Sequence, residues 1–282
     1  MPLSANASIH GENRARGASV LRWAGSKNKS LGALSRFWSN GQTYVEPFCG
    51  SAALFFHLKP HRAYLSDLNS DLINTFERVR DHPESLWNDL SALPNDPSTY
   101  YALREQFNSR KLSEYQSAKI FLYLNRRCFN GLWRTNKRGQ FNVPYGGEKT
   151  GSLPSLEHFK RASAQLSLAS MKVKDFRVAL SRKWSPRHFI YVDPPYLSAR
   201  KRIFVDYNAS IFRERDFDDL IDLLSIADKG GAKFVLTYKD TSKLRKACLQ
   251  WNKHRISVTR NVGGFASSRK VDKEMIVTNV EG

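Results

Sequence analysis

Asp193, Pro194, Pro195 and Tyr196 form the segment of this sequence whose residue types point most directly to chemistry. The Asp193 carboxylate and the Pro194 carbonyl both accept hydrogen bonds, and Tyr196 offers a flat ring for stacking. Two consecutive prolines remove two backbone donors, so the segment cannot continue a strand's ladder. Together these groups suit a planar ring that carries an exocyclic amine. The alternative is a proline turn that only terminates a strand.

Two predicted strands place ligand-binding turns at one edge of a sheet. Residues 189–192 are apolar, β-branched or aromatic, which predicts a buried parallel strand that ends at Asp193. Residues 43–45 predict another strand, followed by the turn at 46–51 and a helical run from Ala52. Ligands bind at the carboxyl ends of such strands. One glycine, Gly50, is too few for a dinucleotide fingerprint, so the turn predicts a nucleoside-type ligand without a pyrophosphate.

Asp67 ends a third predicted strand, residues 62–67, at about the spacing of a ribose-binding carboxylate in a βαβ unit. Because Asn69 and Ser70 follow, Asp67 has an alternative role as the cap of the next helix. Further strands are predicted at residues 172–176, 234–238, 256–259 and 275–278, with a basic loop at 263–270 between the last two. The pattern as a whole indicates an α/β fold.

A helical segment interrupts this α/β pattern from about Asp71 to Asn125, which predicts a smaller inserted domain. The residues that follow, 125–139, interleave basic, aromatic and amide side chains. Such side chains supply phosphate contacts, stacking surfaces and base-edge readers. The alternative is a solvated basic loop.

The chain of 282 residues has 45 Lys and Arg against 26 Asp and Glu, a formal net charge of +19. This excess indicates a polyanionic partner, and nucleic acid before membrane, because no long apolar span is evident. The three cysteines are far apart and lack a metal-like spacing, so we expect a reduced, cytosolic setting. Residues 1–17 have no apolar signal-peptide core and predict a flexible tail.

In chain order, Trp23-Ala24-Gly25-Ser26-Lys27, Glu46-Pro47-Phe48-Cys49-Gly50, the helical insert and Asp193 to Tyr196 resemble the motifs of Dam-type DNA adenine-N6 methyltransferases, the D12 class. The similarity spans roughly residues 21–279 and includes 125–132 and 141–144 of the insert. It implies a Rossmann-like S-adenosylmethionine-dependent methyltransferase sheet with an inserted helical target-recognition domain. The implied boundaries are 1–17 for the tail, 18–70 and 155–282 for the catalytic domain, and 71–154 for the recognition domain.

The resemblance also implies an activity: transfer of a methyl group from S-adenosylmethionine to a flipped adenine in a short palindromic site, with GATC expected. The implied catalytic residues are Asp193, Pro194 and Tyr196. The implied cofactor-binding residues are Trp23, Ala24, Gly25, Lys27, Glu46, Pro47, Phe48, Cys49, Gly50, Ser51, Asp67, Asp175, Phe176 and Asp193. The implied DNA-binding residues are Arg22, Arg126, Phe129, Asn130, Leu132, Arg134, Lys137, Arg138, Tyr207, Arg269 and Lys270. Among these, Arg134 matches the reader of a guanine, and Phe129 with Asn130 match the pair that fills the place of the flipped base.

Three positions depart from the family pattern. Ala52 stands where a second glycine is common, Phe129 where a tyrosine is familiar, and Thr237-Tyr238 where Ser-Asn often occurs. We expect the first two changes to preserve function, whereas the third leaves rate and substrate preference open.

We expect a cytoplasmic, nucleoid-associated monomer that acts on double-stranded DNA without a metal or a membrane. Methylation by such an enzyme would serve DNA modification, including restriction-modification. Two alternatives remain at this point: a non-catalytic DNA-binding regulator on a methyltransferase scaffold, and a methyltransferase for RNA or protein. In the related families with those substrates the corresponding motif usually begins with Asn.

Overall fold

The computed structural model describes residues 19–23, 25–147, 150–196, 212–261 and 269–281, with side chains omitted at 257–261 and 269–273. Within these residues, seven strands form one sheet. They are β1 Thr43–Glu46, β2 Ala63–Asp67, β3 Ala169–Val173, β4 His188–Val192, β5 Lys233–Lys239, β6 Asn252–Asn261 and β7 Arg269–Thr278.

The strand order is β3-β2-β1-β4-β5-β7-β6. The first five strands pair in parallel, and β7 runs antiparallel to both β5 and β6. The order 3-2-1-4-5 is that of a doubly wound Rossmann sheet, so the predicted α/β fold is confirmed. The order reverses between β1 and β4, whose residues Tyr44 and Phe189 are register partners. Ligands bind outside the carboxyl ends of strands at such a reversal.

Helices cover both faces of the sheet. They are α1 Leu31–Ser35, α2 Ala53–Leu58, α3 Ser70–Asp81, α4 Pro83–Ser91, α5 Pro97–Ser109, α6 Glu114–Arg127, α7 Leu156–Leu166, α8 Phe176–Leu180, α9 Glu214–Lys229 and α10 Ser242–Ala247. Polar residues fix where the insert helices begin: Asp96 caps α5 ahead of Pro97, and Ser113 with Gln116 forms a capping box on α6. No helix within the described ranges combines the length and apolar character that a membrane crossing requires.

The core follows from the alternation of side chains along the strands. Tyr44 and Phe189 enter one buried cluster, whereas their neighbours Val45 and Ile190 enter the cluster on the opposite face. The first cluster continues into the insert through residues such as Phe121 of α6. Helix α3, which lies within the predicted recognition domain, packs against β2 and β3 as well as α6. The insert is therefore joined to the sheet by apolar packing.

Three expectations about local structure need correction. The strand predicted at residues 172–176 lies earlier in the chain, at Ala169–Val173, and Phe176 begins helix α8. Strands β6 and β7 are longer than predicted and pair in register as far as Asn261 with Arg269. Arg269 and Lys270 thus lie in β7 instead of the predicted loop; their polar side chains concealed the continuing ladder. Ala52 is also not helical, because its φ of 51° and ψ of 36° are left-handed, and α2 begins one residue later.

Candidate active site

Asp193 follows the last residue of β4 and is held by side chains from two distant parts of the chain. Lys27 donates from Nζ to Oδ1 at 2.8 Å and to Oδ2 at 2.7 Å. Thr237 of β5 donates from its hydroxyl to Oδ1 at 2.7 Å. Because β5 pairs with β4, Val192 and Leu236 are register partners, which brings Thr237 beside Asp193. Burial raises the pKa of Asp193, although Lys27 and Thr237 oppose that rise.

Tyr196 lies in the same site and is oriented by a residue that sequence reasoning missed. Its phenol donates to Oε1 of Glu274 at 2.8 Å. Its ring meets Tyr238 edge-on, with centroids 5.2 Å apart and an interplanar angle of 86°. Glu274 is 1% exposed. The sequence did carry a signal for Glu274, since an acidic residue stands directly before the apolar run at 275–278. Because β7 is antiparallel to β5, the residues before that run lie beside the carboxyl end of β5.

Glu46, the last residue of β1, adds another buried carboxylate to the carboxyl edge of the parallel strands. It is 2% exposed and accepts a hydrogen bond from the Tyr44 hydroxyl at 3.1 Å. Burial raises the pKa of Glu46 well above its ordinary value; the Tyr44 hydrogen bond lowers it in part, and nearby Asp193 and Asp67 raise it further. A chain with a net charge of +19 thus gathers four acids, Asp193, Glu274, Glu46 and Asp67, at the carboxyl edge of the sheet, in the crevice of the site. Such a crevice suits a cationic ligand.

Asp67, at the end of β2, holds the 46–51 turn against the sheet. Its Oδ2 accepts from the Gly50 amide at 3.0 Å, and its Oδ1 accepts from the Asn69 amide at 3.0 Å. The cap of α3 is Asn69, whose side chain accepts from Leu72. The alternative in which Asp67 caps this helix is therefore wrong. Burial raises the pKa of Asp67, and the amide bonds partly offset that rise.

Trp23 joins the 46–51 turn to the insert. A Cβ on Gly50, where φ is +45°, would lie 3.0 Å from the Trp23 ring, so the turn approaches the indole as closely as only glycine permits. On the insert side the indole stacks near Trp133, with centroids 6.4 Å apart and planes at 17°. Ser51 and Ser26 also bring their hydroxyls within 3.3 Å of each other. The turn and residues 23–27 thus form one wall of the crevice.

Asp175 and Phe176 lie at the next strand tip. The ring of Phe176 stacks on Phe48 of the 46–51 turn, with centroids 5.2 Å apart and planes at 28°. Asp175 caps α8 by accepting from the Arg177 amide at 2.8 Å. Both residues thus lie at the crevice. Phe176 packs on Phe48 there, whereas the Asp175 carboxylate already accepts a hydrogen bond from the start of α8.

A hairpin at residues 134–142 contains Arg134. Thr135 and Phe141 form a bridge across it, and the Asn136 amide donates to the Gln140 carbonyl at 2.8 Å. Arg134 donates from Nε to Oδ1 of Asn142 at 2.9 Å, which fixes its guanidinium on the hairpin. Lys137 and Arg138 are exposed at the hairpin turn. The hairpin thus carries three cationic side chains, of which Lys137 and Arg138 are exposed and Arg134 is half-buried.

The family model for D12 class N6 adenine-specific DNA methyltransferases matches residues 23–262. The chain belongs to this family. It is 33% identical to the Type II methyltransferase M1.LlaDCHI of Lactococcus lactis subsp. cremoris, over 92% of this chain and 94% of that protein. It is 29% identical to the Retron Ec67 DNA adenine methylase of Escherichia coli, over 93% of this chain and 91% of that protein. A solved structure, a putative methyltransferase of Escherichia coli, covers 90% of this chain and 84% of its own at 11% identity, with a TM-score of 0.36.

The protein is accordingly an adenine-specific DNA methyltransferase with DNA as its substrate. Two of its departures from the family pattern have a structural account. Left-handed Ala52 explains why glycine is common there, since a Cβ in that conformation costs roughly 1–2 kcal/mol. Thr237 supplies a hydroxyl to Asp193, as a serine at that position would, and Tyr238 packs on Tyr196.

Two apolar side chains of the methyltransferase face solvent in its basic insert. Phe129 is 42% exposed and Leu132 is 37% exposed. Between them, Asn130 has a left-handed φ of 55° within a short 3₁₀ turn, which turns the chain sharply. Apolar side chains exposed in a basic loop are available as wedges or stacking surfaces for bases.

Two predicted DNA contacts, Arg22 and Arg126, make hydrogen bonds within the protein. Arg126 donates from Nε to the Val20 carbonyl at 2.9 Å, and burial lowers its pKa to about 10. The Asn125 amide group exchanges two hydrogen bonds with the Arg22 backbone, at 2.9 and 2.6 Å. These contacts fasten residues 20–22 to the end of α6. Arg126 thus has a structural role, and its contact with DNA stays a prediction.

Several predicted site positions lie outside the described residues. They are Ala24, Tyr207 and the side chains of Arg269 and Lys270.

Proposed function

We propose that this methyltransferase uses S-adenosylmethionine to methylate N6 of an adenine flipped out of a short palindromic duplex site, with GATC as the expected sequence. The arrangement of Asp193 is the observation that carries the proposal. It lies at the strand-order reversal and is fixed by Lys27 and Thr237, and Nζ of Lys27 also lies 5.8 Å from the centroid of the Tyr196 ring. An acceptor and a ring are thereby presented together at the edge where ligands bind.

The crevice has the donor and acceptor chemistry that this cofactor requires. When bound, S-adenosylmethionine supplies a methyl group on a positively charged sulfur, which becomes a neutral thioether after transfer. Burial raises the pKa of Glu46 and of Asp193, which disfavours their ionised forms, so a cationic ligand nearby would stabilise negative charge on both carboxylates. Asp67 retains acceptor capacity for ribose hydroxyls beyond its two amide bonds. Phe48 and Phe176 offer apolar faces to an adenine ring.

Asp193 and Pro194 act on the target amine. The lone pair of an adenine amine is delocalised into its ring, so the nitrogen is a poor nucleophile. Hydrogen bonds from its two N–H groups to the Asp193 carboxylate and the Pro194 carbonyl favour a more tetrahedral nitrogen and aim its lone pair. The nitrogen would gain a bond to the methyl carbon as the bond of that carbon to sulfur breaks, and it would then release one proton to water. Negative charge on Asp193 stabilises the positive charge that develops between these events.

Base flipping would involve three residues with different roles: Phe129, Asn130 and Tyr196. The target amine is inaccessible inside a duplex, and extruding the base costs a few kcal/mol. Tyr196 would receive the extruded base by stacking. Phe129, with 42% of its surface exposed, and Asn130 would fill the place that the base leaves.

Arg134 would read a guanine in the major groove. Its Nε is engaged by Asn142, which leaves both terminal nitrogens to donate as a fork to the two acceptors of guanine. Lys137 and Arg138 at the hairpin turn would contact phosphates, together with Arg22, Arg126, Tyr207, Arg269 and Lys270. We further propose that residues 71–154 form the recognition domain, 18–70 and 155–282 the catalytic domain, and that one chain suffices for activity.

Sequencing that detects N6-methyladenine, applied to DNA from cells that express the protein, tests the function and its site together. We expect the mark at the adenine of GATC on both strands, and its absence with Asp193→Ala. A mark confined to another motif would replace GATC, and no mark with the wild-type protein would overturn the activity.

A further inference from the structure

Glu274 is the least exposed acidic side chain among those described, at 1%. An ionised carboxylate at such a depth requires partners, because burial of an unpaired charge is costly. Two of its contacts reach into the active site: Oε1 accepts from the Tyr196 phenol at 2.8 Å, and Oε2 lies 3.9 Å from Nζ of Lys27. Glu274 therefore touches two groups that serve Asp193 and the flipped base.

Lys27 lies between two carboxylates. It is 2.7 Å from Asp193 Oδ2, within hydrogen-bond range, and 3.9 Å from Glu274, which is an ion-pair distance. Its ammonium donates to both oxygens of Asp193. Nζ also donates to the Gly25 carbonyl at 3.2 Å. The structure thus shows Lys27 bound to Asp193 and to one carbonyl, with Glu274 as a second acid at ion-pair distance.

The proposed chemistry conflicts with this placement of Lys27. The target amine needs an oxygen of Asp193, and an ammonium held on those same oxygens competes for them. It also repels the positive charge that develops on the amine nitrogen, and such repulsion is strong in a buried site. Methyl transfer is therefore favoured when the ammonium withdraws from Asp193.

We propose that Glu274 is a positioning residue which takes over the Lys27 ammonium when Asp193 accepts the target amine, and which holds Tyr196 through its phenol. This inference rests on the proposed function of the site. A shift of Nζ by about 1 Å would bring the pair with Glu274 to the usual length of a charged hydrogen bond. The long, flexible stem of a lysine allows this, and Lys27 keeps a partner in both arrangements.

Two substitutions separate the two parts of this role. Glu274→Gln removes the charge but keeps an oxygen that can accept from Tyr196. Tyr196→Phe removes the phenol bond but keeps the ring. Glu274→Asp retains the charge on a shorter side chain, and Glu84→Gln, at an exposed surface pair with Lys160, is the matched control for loss of one negative charge.

The measurement is the rate of a single turnover on duplex DNA at saturating cofactor, with DNA affinity and melting temperature recorded for each variant. We expect Glu274→Gln to slow transfer by about tenfold or more while DNA affinity changes by less than about twofold. Tyr196→Phe should cost less, the double variant should show the product of the two losses, and Glu274→Asp should retain more activity than Glu274→Gln.

Other results overturn the inference. If Glu274→Gln turns over like wild type and Glu84→Gln, the charge has no role. If the double variant is no slower than Tyr196→Phe, Glu274 acts through the phenol alone. If Glu274→Asp transfers methyl more slowly than Glu274→Gln, the shape of the side chain matters more for the rate than its charge. Failure of the proposed function is distinct, because the wild-type protein would then transfer no methyl group.

Discussion

The hydroxyl of Thr237 donates to Oδ1 of Asp193 at 2.7 Å. Loss of this bond leaves the half-buried Asp193 carboxylate with one donor fewer, and a hydrogen bond to a charged group is worth about 1.5–3 kcal/mol. We expect Thr237→Val, which has nearly the same shape, to slow methyl transfer by about tenfold or more. Thr237→Ser restores the hydroxyl and should stay within about threefold of wild type. Single-turnover rates decide this, and equal rates for the two variants would show that the hydroxyl is unimportant.

Glu46 should make the cofactor-free protein less stable as pH rises. A glutamic acid titrates at about 4.3 in an unfolded chain, whereas burial raises the pKa of Glu46 in the folded protein. Between those two values the folded state binds more protons, so stability falls as pH increases through that window. Glu46→Gln removes the titration and keeps an acceptor for Tyr44.

We therefore expect Glu46→Gln to raise the melting temperature at pH 8 by several degrees, with a smaller gain at pH 5. A shift of about one pKa unit is worth about 1.4 kcal/mol. Thermal melts at the two pH values measure this, and Glu84→Gln at the surface serves as the control. An equal gain at both pH values, or a loss at pH 8, would contradict the raised pKa.

The elements of the crevice were predictable because each strand tip ends in a recognisable residue. Glu46 ends one run of buried β-forming residues, and Asp193 directly follows another. The parallel pairing that the pattern predicts brings both residues to the carboxyl edge of the sheet. The ion pair between Lys27 and Asp193 could not be predicted from the sequence, because both residues were assigned to the cofactor and nothing indicated that they contact each other. Glu274 was missed because side-chain alternation in β7 shows which face a residue takes, not which partner it meets. The family resemblance implied a DNA contact for Arg126, and only the folded chain shows its hydrogen bond to the Val20 carbonyl.

Asp67→Ala should weaken S-adenosylmethionine binding while leaving DNA binding in the absence of cofactor nearly unchanged. The substitution removes the acceptor for the Gly50 amide, so it disturbs the 46–51 turn as well as the proposed ribose contact. Isothermal titration calorimetry should show at least about a tenfold higher dissociation constant. Asp89→Ala, on the insert helix α4, is the control. Wild-type cofactor affinity in Asp67→Ala would remove Asp67 from the cofactor site.

Arg134→Ala should relax sequence preference at one G·C pair. A forked contact to guanine is worth roughly 1–3 kcal/mol of discrimination, whereas a phosphate contact lowers affinity on every sequence alike. Methylation rates on GATC and on each single-base variant of it separate the two roles. Arg138→Ala, at the exposed hairpin turn, is the matched control and should weaken all substrates uniformly. A uniform loss with Arg134→Ala would assign it to the phosphates.

The most direct test of the central claim is transfer of a labelled methyl group from S-adenosylmethionine to a duplex oligonucleotide with a single GATC site, followed by mass spectrometry of the nucleosides. Wild-type protein should yield N6-methyladenine, Asp193→Ala should yield none above background, and Asp89→Ala should match wild type. N6-methyladenine formed equally by Asp193→Ala, or a label recovered on any other nucleoside, would contradict the assignment of this site to adenine-N6 methylation.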